Sequence, residues 1–445
     1  MEYLLITVVC FVIFYRSLFY GLVVDDDRTH AKPRYIYTKK DCRFPLIINI
    51  RRTLDGNQPI RNVFLDHCLT LFLHTLACLL IYWTFGRLDA ALLFAVNVSN
   101  NGGSLWLNGK RFVVNTILCL LTFKFAPYGI LFWLLTPFFQ ASAIVLPVMF
   151  LFKGYWQFLV FMPLVLLFGR KVLLSHAKYR LSLITVKEFI RFTPRKIFLI
   201  LKTFGFYFIR GIIPFPPIMY ISYLSHFGLI GEQTEEGFRF DLLAFIGLLI
   251  IVCIPTMYCI NPYIGLGFIW WLVFMSVYCN WITLTVLFAE RYMYLPNVGL
   301  MVGLSILLGY IHPYAWLLVF GLYLGKLLTY MPMYKNLDSY YKHHCYYDPT
   351  SDCSWVFRAN LSDRQNDLVQ SLQLIDEGLR YVKNKTRLFY YKATTVNNLG
   401  NHELALEMLD EARKCCRDKF IKIFEPEFKK LETKIKEKQN VNNLH

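Results

Sequence analysis

The stretch from Leu242 to Ile260, LLAFIGLLIIVCIPTMYCI, carries no charged side chain from end to end. A run of this length as a helix matches the roughly 30 Å hydrocarbon core of a bilayer at about 1.5 Å per residue. It is preceded by an acidic segment, Gly231 to Asp241, in which Glu232, Glu235, Glu236 and Asp241 face a single Arg239. Similar apolar runs recur on both sides of it, over 4–21, 64–85, 90–107, 111–134, 136–152, 155–169, 197–228, 263–288, 297–311 and 314–330, and then stop. With 242–260, these predict an all-α, polytopic membrane protein of about 11 spans over residues 1–331. The 445 residues are 56% hydrophobic, 17% aromatic and only 17% charged, whereas soluble domains average about 25% charged. Tyr and Trp flank many of the runs, as interfacial anchors do. The first run lacks a basic start and a small-residue cleavage site, and so reads as a retained signal anchor.

The net charge of +17 does not indicate nucleic acid, because no basic motif of a known docking type is present. Lys and Arg of a membrane protein collect in cytoplasmic loops and beside lipid phosphates. Residues 170–196 hold Arg170, Lys171, Lys178, Arg180, Lys187, Arg191, Arg195 and Lys196 against Glu188, which predicts a cytoplasmic segment. The acidic 231–241 segment is then outside, as are the loop at 24–62, the Glu290-Arg291 junction and the tail. The basic residues of 24–62 run against this orientation unless they face lipid headgroups. Of the 12 cysteines, seven fall in apolar runs, and those of the tail have no CxxC-type partner.

From Ser351 the composition changes to amphipathic, with a linker over 332–350 and a helical domain over 351–445. A self-similarity of 34 residues relates Trp355 to Phe389, Ala359 to Ala393, Ser371 to Ala405, Ile375 to Leu409 and Gly378 to Ala412. The set Phe389, Ala393, Gly400, Ala405, Leu409 and Ala412 fits the tetratricopeptide (TPR) pattern, with Asn366 at the turn-glycine position of the first copy. A charged helix from about Asp418 to Lys438 would cap the two repeats. Such repeats bind partner segments.

The chemistry-bearing residues cluster at span ends. Asp25, Asp26 and Asp27 follow the first run, where a carboxylate at a membrane boundary can serve as a base or bind a cation. A solvated acidic loop is the plainer reading. His67 and His74 share a face of the second run. Asn97, Asn100 and Asn101 lie in the third, Lys110-Arg111 opens the fourth, Arg210 is in the seventh, and Glu290-Arg291 ends the ninth. Ionisable groups at membrane depth are costly and tend to face a cavity, although snorkelling or a structural ion pair also explains them.

The stretch Ala289-Glu290-Arg291-Tyr292-Met293-Tyr294-Leu295-Pro296-Asn297-Val298-Gly299 resembles the ERxxYLPSxG signature of the transmembrane-and-TPR O-mannosyltransferases and their bacterial relatives. Leu92 to Asn97 with Trp106-Leu107-Asn108-Gly109-Lys110-Arg111 is similar to their LLFAxHP…WxxGRR segment. His74 with the following Leu79 to Tyr82, and Val24-Asp25-Asp26, resemble further segments in the same order, so the likeness covers about 70% of the chain. It implies a GT-C glycosyltransferase that takes a sugar from a polyprenyl-phosphate carrier on the extracytoplasmic face. It implies Asp25 or Asp26 as base, with a divalent cation such as Mg or Mn as a possible aid there. Arg111, Lys110, Arg291 and Arg210 then meet the donor phosphate, with Glu290, His74 and Tyr292 in support. The repeats, cored on Trp355, Phe389, Ala393, Gly400 and Ala405, present an acceptor protein or glycan. The setting is a bacterial inner membrane or the endoplasmic reticulum. The chain departs from the family where Asn97-Val98 stands for His-Pro and Phe139-Gln140 for Lys-Glu. A non-catalytic membrane scaffold and a lipid-linked glycan polymerase or ligase are the alternative readings.

Overall fold

The structure, a computed structural model, describes residues 1–21, 63–106, 109–136, 145–151, 154–155, 160, 163, 194–216, 240–279, 289–416 and 418–442. The described residues are mostly helical, without a strand, and fall into two compact units that meet in sequence at Asn336 and Leu337.

In the first unit the helices are α1 (Glu2–Phe14), α2 (Val63–Phe85), α3 (Leu88–Val96), α4 (Lys110–Lys124), α5 (Ile130–Leu135), α6 (Leu146–Leu151), α7 (Pro194–Ile212), α8 (Leu242–Ile260), α9 (Pro262–Ser276), α10 (Pro296–Ile311) and α11 (Ala315–Tyr330). Four stretches are long and apolar enough to cross a membrane: Glu2–Phe19, Val63–Phe85, Leu242–Ile260 and Ala315–Lys335. Pro262–Ser276 and Pro296–Ile311 are apolar but shorter. The unit is apolar outside: on α8 and α11, Leu242, Val252, Leu318 and Leu322 are exposed. Its interior holds Lys110, Lys202, Arg210, Asn97, Asn100, Asn101 and His74, all buried. Water favours the reverse arrangement, and hydrocarbon favours this one.

Several expected spans are interrupted. The run over 90–107 is not one helix: α3 ends at Val96, and a 3-10 turn (Val98–Asn100) and a single α-turn (Asn101–Ser104) follow. The Asn97 side chain accepts from Ser99 N, and this local bond competes with continuation of the helix. The run over 111–134 breaks after Lys124, where a turn over 125–129 containing Pro127 separates α4 from α5. Proline there supplies no N–H to a helix. In 263–288 the helix stops at Ser276, and residues 280–288 lie outside the described part, as do most of 155–169 and the end of 197–228.

Glycines set the closest helix crossings. A Cβ at Gly247 would overlap the Leu201 carbonyl, and one at Gly205 the Leu243 carbonyl, so α7 and α8 pack backbone to backbone. Gly267 and Gly299 do the same for α9 and α10, with Gly303 one turn on. Small-residue contacts of this kind are the usual means of joining helices in lipid.

The second unit begins inside the stretch read as a linker. Helix α12 (Leu337–Tyr347) occupies it, because Tyr340, Tyr341, His344 and Cys345 fall on one side and are buried. Next come α13 (Asp352–Arg364), α14 (Leu368–Tyr381), α15 (Thr386–Asn398), α16 (His402–Cys415) and α17 (Asp418–Asn442). Helices α13 and α14 form one hairpin, and α15 and α16 another whose bounds are displaced from the first by the same 34 residues seen in the sequence. Asn366 (φ 61°) and Gly400 (φ 89°) adopt the left-handed backbone at equivalent turns, which asparagine tolerates and glycine adopts freely. Asp367 and Asn401 then cap α14 and α16, accepting from Gln370 N and Leu404 N. Ala359, Ala393, Ser371 and Ala405 are fully buried where the paired helices approach. Helix α17 closes the stack through Phe428, Leu431 and Ile435. On its surface Glu432 accepts from Lys436 (2.7 Å) and from Arg413 (2.5 Å). These two cations hold its carboxyl down at about 2.

Candidate functional site

The first unit folds around the segment 289–296, and almost every residue in it has a partner on a different element. Tyr207, on α7, accepts a hydrogen bond from Ala289 N at 2.8 Å. One turn along, Arg210 reaches Glu290 with Nε and Nη2 at 3.1 and 2.5 Å, and donates to the Pro216 carbonyl at 2.7 Å. The Arg291 backbone lies against Gly102, where a Cβ would come within 3.1 Å of its Cα. Tyr292 stacks on Tyr278 with centroids 4.3 Å apart and planes 5° apart. Trp270 donates to the Leu295 carbonyl at 3.0 Å. Tyr294 packs its ring on Gly103, which has no side chain to obstruct it.

The Tyr294 hydroxyl meets His74 Nδ1 at 2.6 Å, while His74 Nε2 lies 3.3 Å from the Ala95 carbonyl. A carbonyl only accepts, so Nε2 carries the proton and Nδ1 accepts from the tyrosine. His74 therefore ties α2 to α3 and to the 289–296 segment, and is fully buried. Its place is that of a hydrogen-bonded core histidine.

The segment after α3 forms the opposite wall. Asn97 donates to the Gly211 carbonyl at 2.8 Å and Ser99 to the Arg210 carbonyl at 2.6 Å. Tyr323 of α11 donates to the Ile212 carbonyl at 2.5 Å. The last turn of α7, whose carbonyls have no helical donors, is thus capped by side chains from elsewhere in the chain. Asn100 donates to the Phe94 carbonyl at 2.8 Å and accepts from Asn297 at 2.9 Å.

The four basic residues expected to meet a phosphate are all in this unit. Lys110, fully buried, forms an ion pair with Asp66 of α2, and Arg210 forms one with Glu290. Arg111 and Arg291 are half-buried. The Arg291 guanidinium lies 5.7 Å from the Trp106 ring centroid and 5.2 Å from that of Tyr292. Arg111 covers Phe112, whose ring is 6.4 Å from that of Tyr292. Glu290 and Tyr292 are half-buried beside them. The 289–294 turn thus meets α7 through the Arg210–Glu290 ion pair and α4 through the Phe112 and Tyr292 rings. Asp25, Asp26 and Asp27 lie outside the described residues, as does Phe139-Gln140. Among the described residues no group of three His, Cys, Asp or Glu is placed to hold a metal ion, so the cation expectation rests on Asp25 and Asp26 alone.

Sequence reading passed over Asp66 and Tyr207. Asp66 is the one acid in the first turn of α2, and reads as interfacial until its partner is known. Tyr207 precedes Arg210 by one turn, a spacing that would have placed both on one face. In the second unit, Trp355, Ala393 and Ala405 are buried, Phe389 is half-buried, and Gly400 sits exposed in its turn.

Fold and site together define an α-helical chain, over its described residues, with stretches able to cross a membrane and a charged centre inside an apolar unit. No family model, curated protein or solved structure matches the chain.

Proposed function

We propose that this chain is a multi-pass membrane glycosyltransferase of the GT-C kind, moving a hexose from a polyprenyl-phosphate carrier to a hydroxyl of a protein or glycan. The observation that carries the reading is that an apolar helical unit holds Lys110 and Arg210 buried in ion pairs, with Arg210 on Glu290 next to Arg291 in sequence, and Arg111 and Arg291 half-buried against aromatic rings. In the transfer, an acceptor oxygen attacks the anomeric carbon as the carbon–oxygen bond to phosphate breaks. The acceptor proton passes to a carboxylate, assigned to Asp26 with Asp25 and Asp27 beside it, and the carrier leaves as polyprenyl phosphate. Arg111 and Arg291 offer planar, bidentate contacts to that phosphate, while Lys110 and Arg210 add positive charge behind them. A divalent cation at Asp25 and Asp26 would supply further charge stabilisation. The basic 170–196 segment supports a centre and tail on the extracytoplasmic side of a bacterial inner membrane or the endoplasmic reticulum. The tail hairpins, displaced by 34 residues, support a TPR-like acceptor platform.

A second reading, a non-catalytic scaffold, draws on one observation: Lys110 and Arg210 are each already paired with a carboxylate. Transfer of label separates the two. Membranes expressing the full chain are given polyprenyl-phosphate [³H]mannose, and label in protein and glycan is counted. The Asp25→Asn/Asp26→Asn double variant should lower transfer about 100-fold or more at equal expression, the scale of a lost general base. Wild-type transfer by the double variant would leave the scaffold reading in its place.

A further inference from the structure

Three asparagines lie within five residues on the segment between α3 and α4, and they differ in a telling way. Asn97 and Asn100 are bonded to Gly211, Ser99, Phe94 and Asn297. Asn101, also fully buried, has a hydrogen-bond partner at neither Oδ1 nor Nδ2 among the described residues. Its backbone carbonyl accepts from Trp106 N at 3.4 Å, and the Trp106 indole Nε1, likewise buried, has no acceptor among the described residues. By contrast, Trp270 places its indole N–H on the Leu295 carbonyl. Gly102 next to Asn101 touches Gly109 next to Lys110, and Lys110 brings in Asp66, whose Oδ2 is a fourth buried atom without a partner among the described residues. Buried polar atoms are nearly always paired, and each one that is not calls for a reason.

We infer that Asn101, the Trp106 indole N–H and Asp66 Oδ2 form a subsite for a hydroxyl-bearing group, which on the transferase reading above is the sugar of the donor. The set mixes donors with acceptors: two N–H and one oxygen from the amide, one N–H from the indole, one oxygen from the carboxylate. A phosphate offers only acceptors and would leave both oxygens unused. Hydroxyl groups donate and accept, and satisfy all of them. The cationic Arg291 over the Trp106 ring lies next to this set, so phosphate and sugar would occupy adjacent places.

The test uses the full chain in nanodiscs and two probes, citronellyl phosphate and citronellyl phosphoryl-mannose. The wild type should bind the mannosyl ester about 10-fold or more tighter than the bare phosphate, because a site built to bond hydroxyls penalises their loss. Asn101→Leu should bring that ratio to about one while leaving phosphate binding within about two-fold. It should also hold or raise the melting temperature without ligand, since it removes a buried polar group that lacks a partner. Trp106→Phe keeps the ring, deletes the N–H, and should lower the ratio by about five-fold. An Asn101→Leu protein that melts earlier and loses both probes alike would mark a structural asparagine and overturn the subsite. An unchanged ratio in both variants would also overturn it, leaving at most ordered water there and the carrier reading intact. Wild-type protein that binds neither probe would bring down the carrier reading and the subsite with it.

Discussion

Asp66→Leu should destabilise the apolar unit by about 3–5 kcal/mol, the usual cost of removing one member of a buried ion pair. Lys110 is fully buried, and the Asp66 carboxylate is the counter-charge that makes this tolerable. Without the carboxylate, the ammonium stays out of water and loses that counter-charge. The double variant Asp66→Leu/Lys110→Met removes both charges and should recover most of the loss, because two apolar side chains of similar size need no counter-ion. Unfolding in mixed micelles of increasing SDS content would measure all three differences. Little loss in the single variant, or no recovery in the double, would mean that the two side chains are not paired in the bilayer. Glu290→Leu belongs to the same class, because it leaves Arg210 without the carboxylate it is paired with.

Trp355→Ala should cost the tail unit about 3–5 kcal/mol. The indole is 3% exposed, donates to the Pro349 carbonyl at 2.7 Å and stacks on Tyr381 with planes 6° apart. Gly378 sits beneath it: a Cβ there would be 2.7 Å from the indole Cγ. At the equivalent positions of the second hairpin stand a smaller ring, Phe389, and a larger neighbour, Ala412, both in one hydrophobic cluster. Phe389 is only half-buried, and Phe389→Ala should cost less than Trp355→Ala. Thermal unfolding followed by proteolysis of the tail in the full chain would read the difference. Binding of citronellyl phosphate should stay unchanged, and equal stability of Trp355→Ala and wild type would contradict the repeat core.

What the sequence discloses of this molecule follows from what repeats. Apolar runs announce themselves by length, and 242–260 and 64–85 coincide with helices long enough to cross a bilayer. The 34-residue spacing recurs in the helix bounds because the same small residues, such as Ala359 and Ala393, must sit where helices cross. The breaks are less legible. Asn97 ends α3 by accepting from the backbone N–H of Ser99, a local alternative that hydropathy does not register. The end of the apolar runs near 330 and the amphipathic spacing from Ser351 leave 332–350 as a linker, although its tyrosines pack one face of α12. At the polar centre the basic residues stand out singly, but their pairing does not. Asp66 is 44 positions from Lys110, and Glu290 is 80 from Arg210, so only the fold reveals which charges neutralise each other. The signature at 289–296 was legible as a segment. That most of its side chains hold it in place through partners on other elements was not.

The most direct measurement is photocrosslinking of the full chain in nanodiscs with a diazirine-bearing polyprenyl phosphate, followed by peptide mapping. A carrier phosphate seated between Arg111 and Arg291 requires a probe with the diazirine next to the phosphate to label peptides from 98–112 and 289–294, with unlabelled polyprenyl phosphate competing. Labelling confined to the lipid-facing side chains of α8 and α11, and indifferent to competition, would contradict the account.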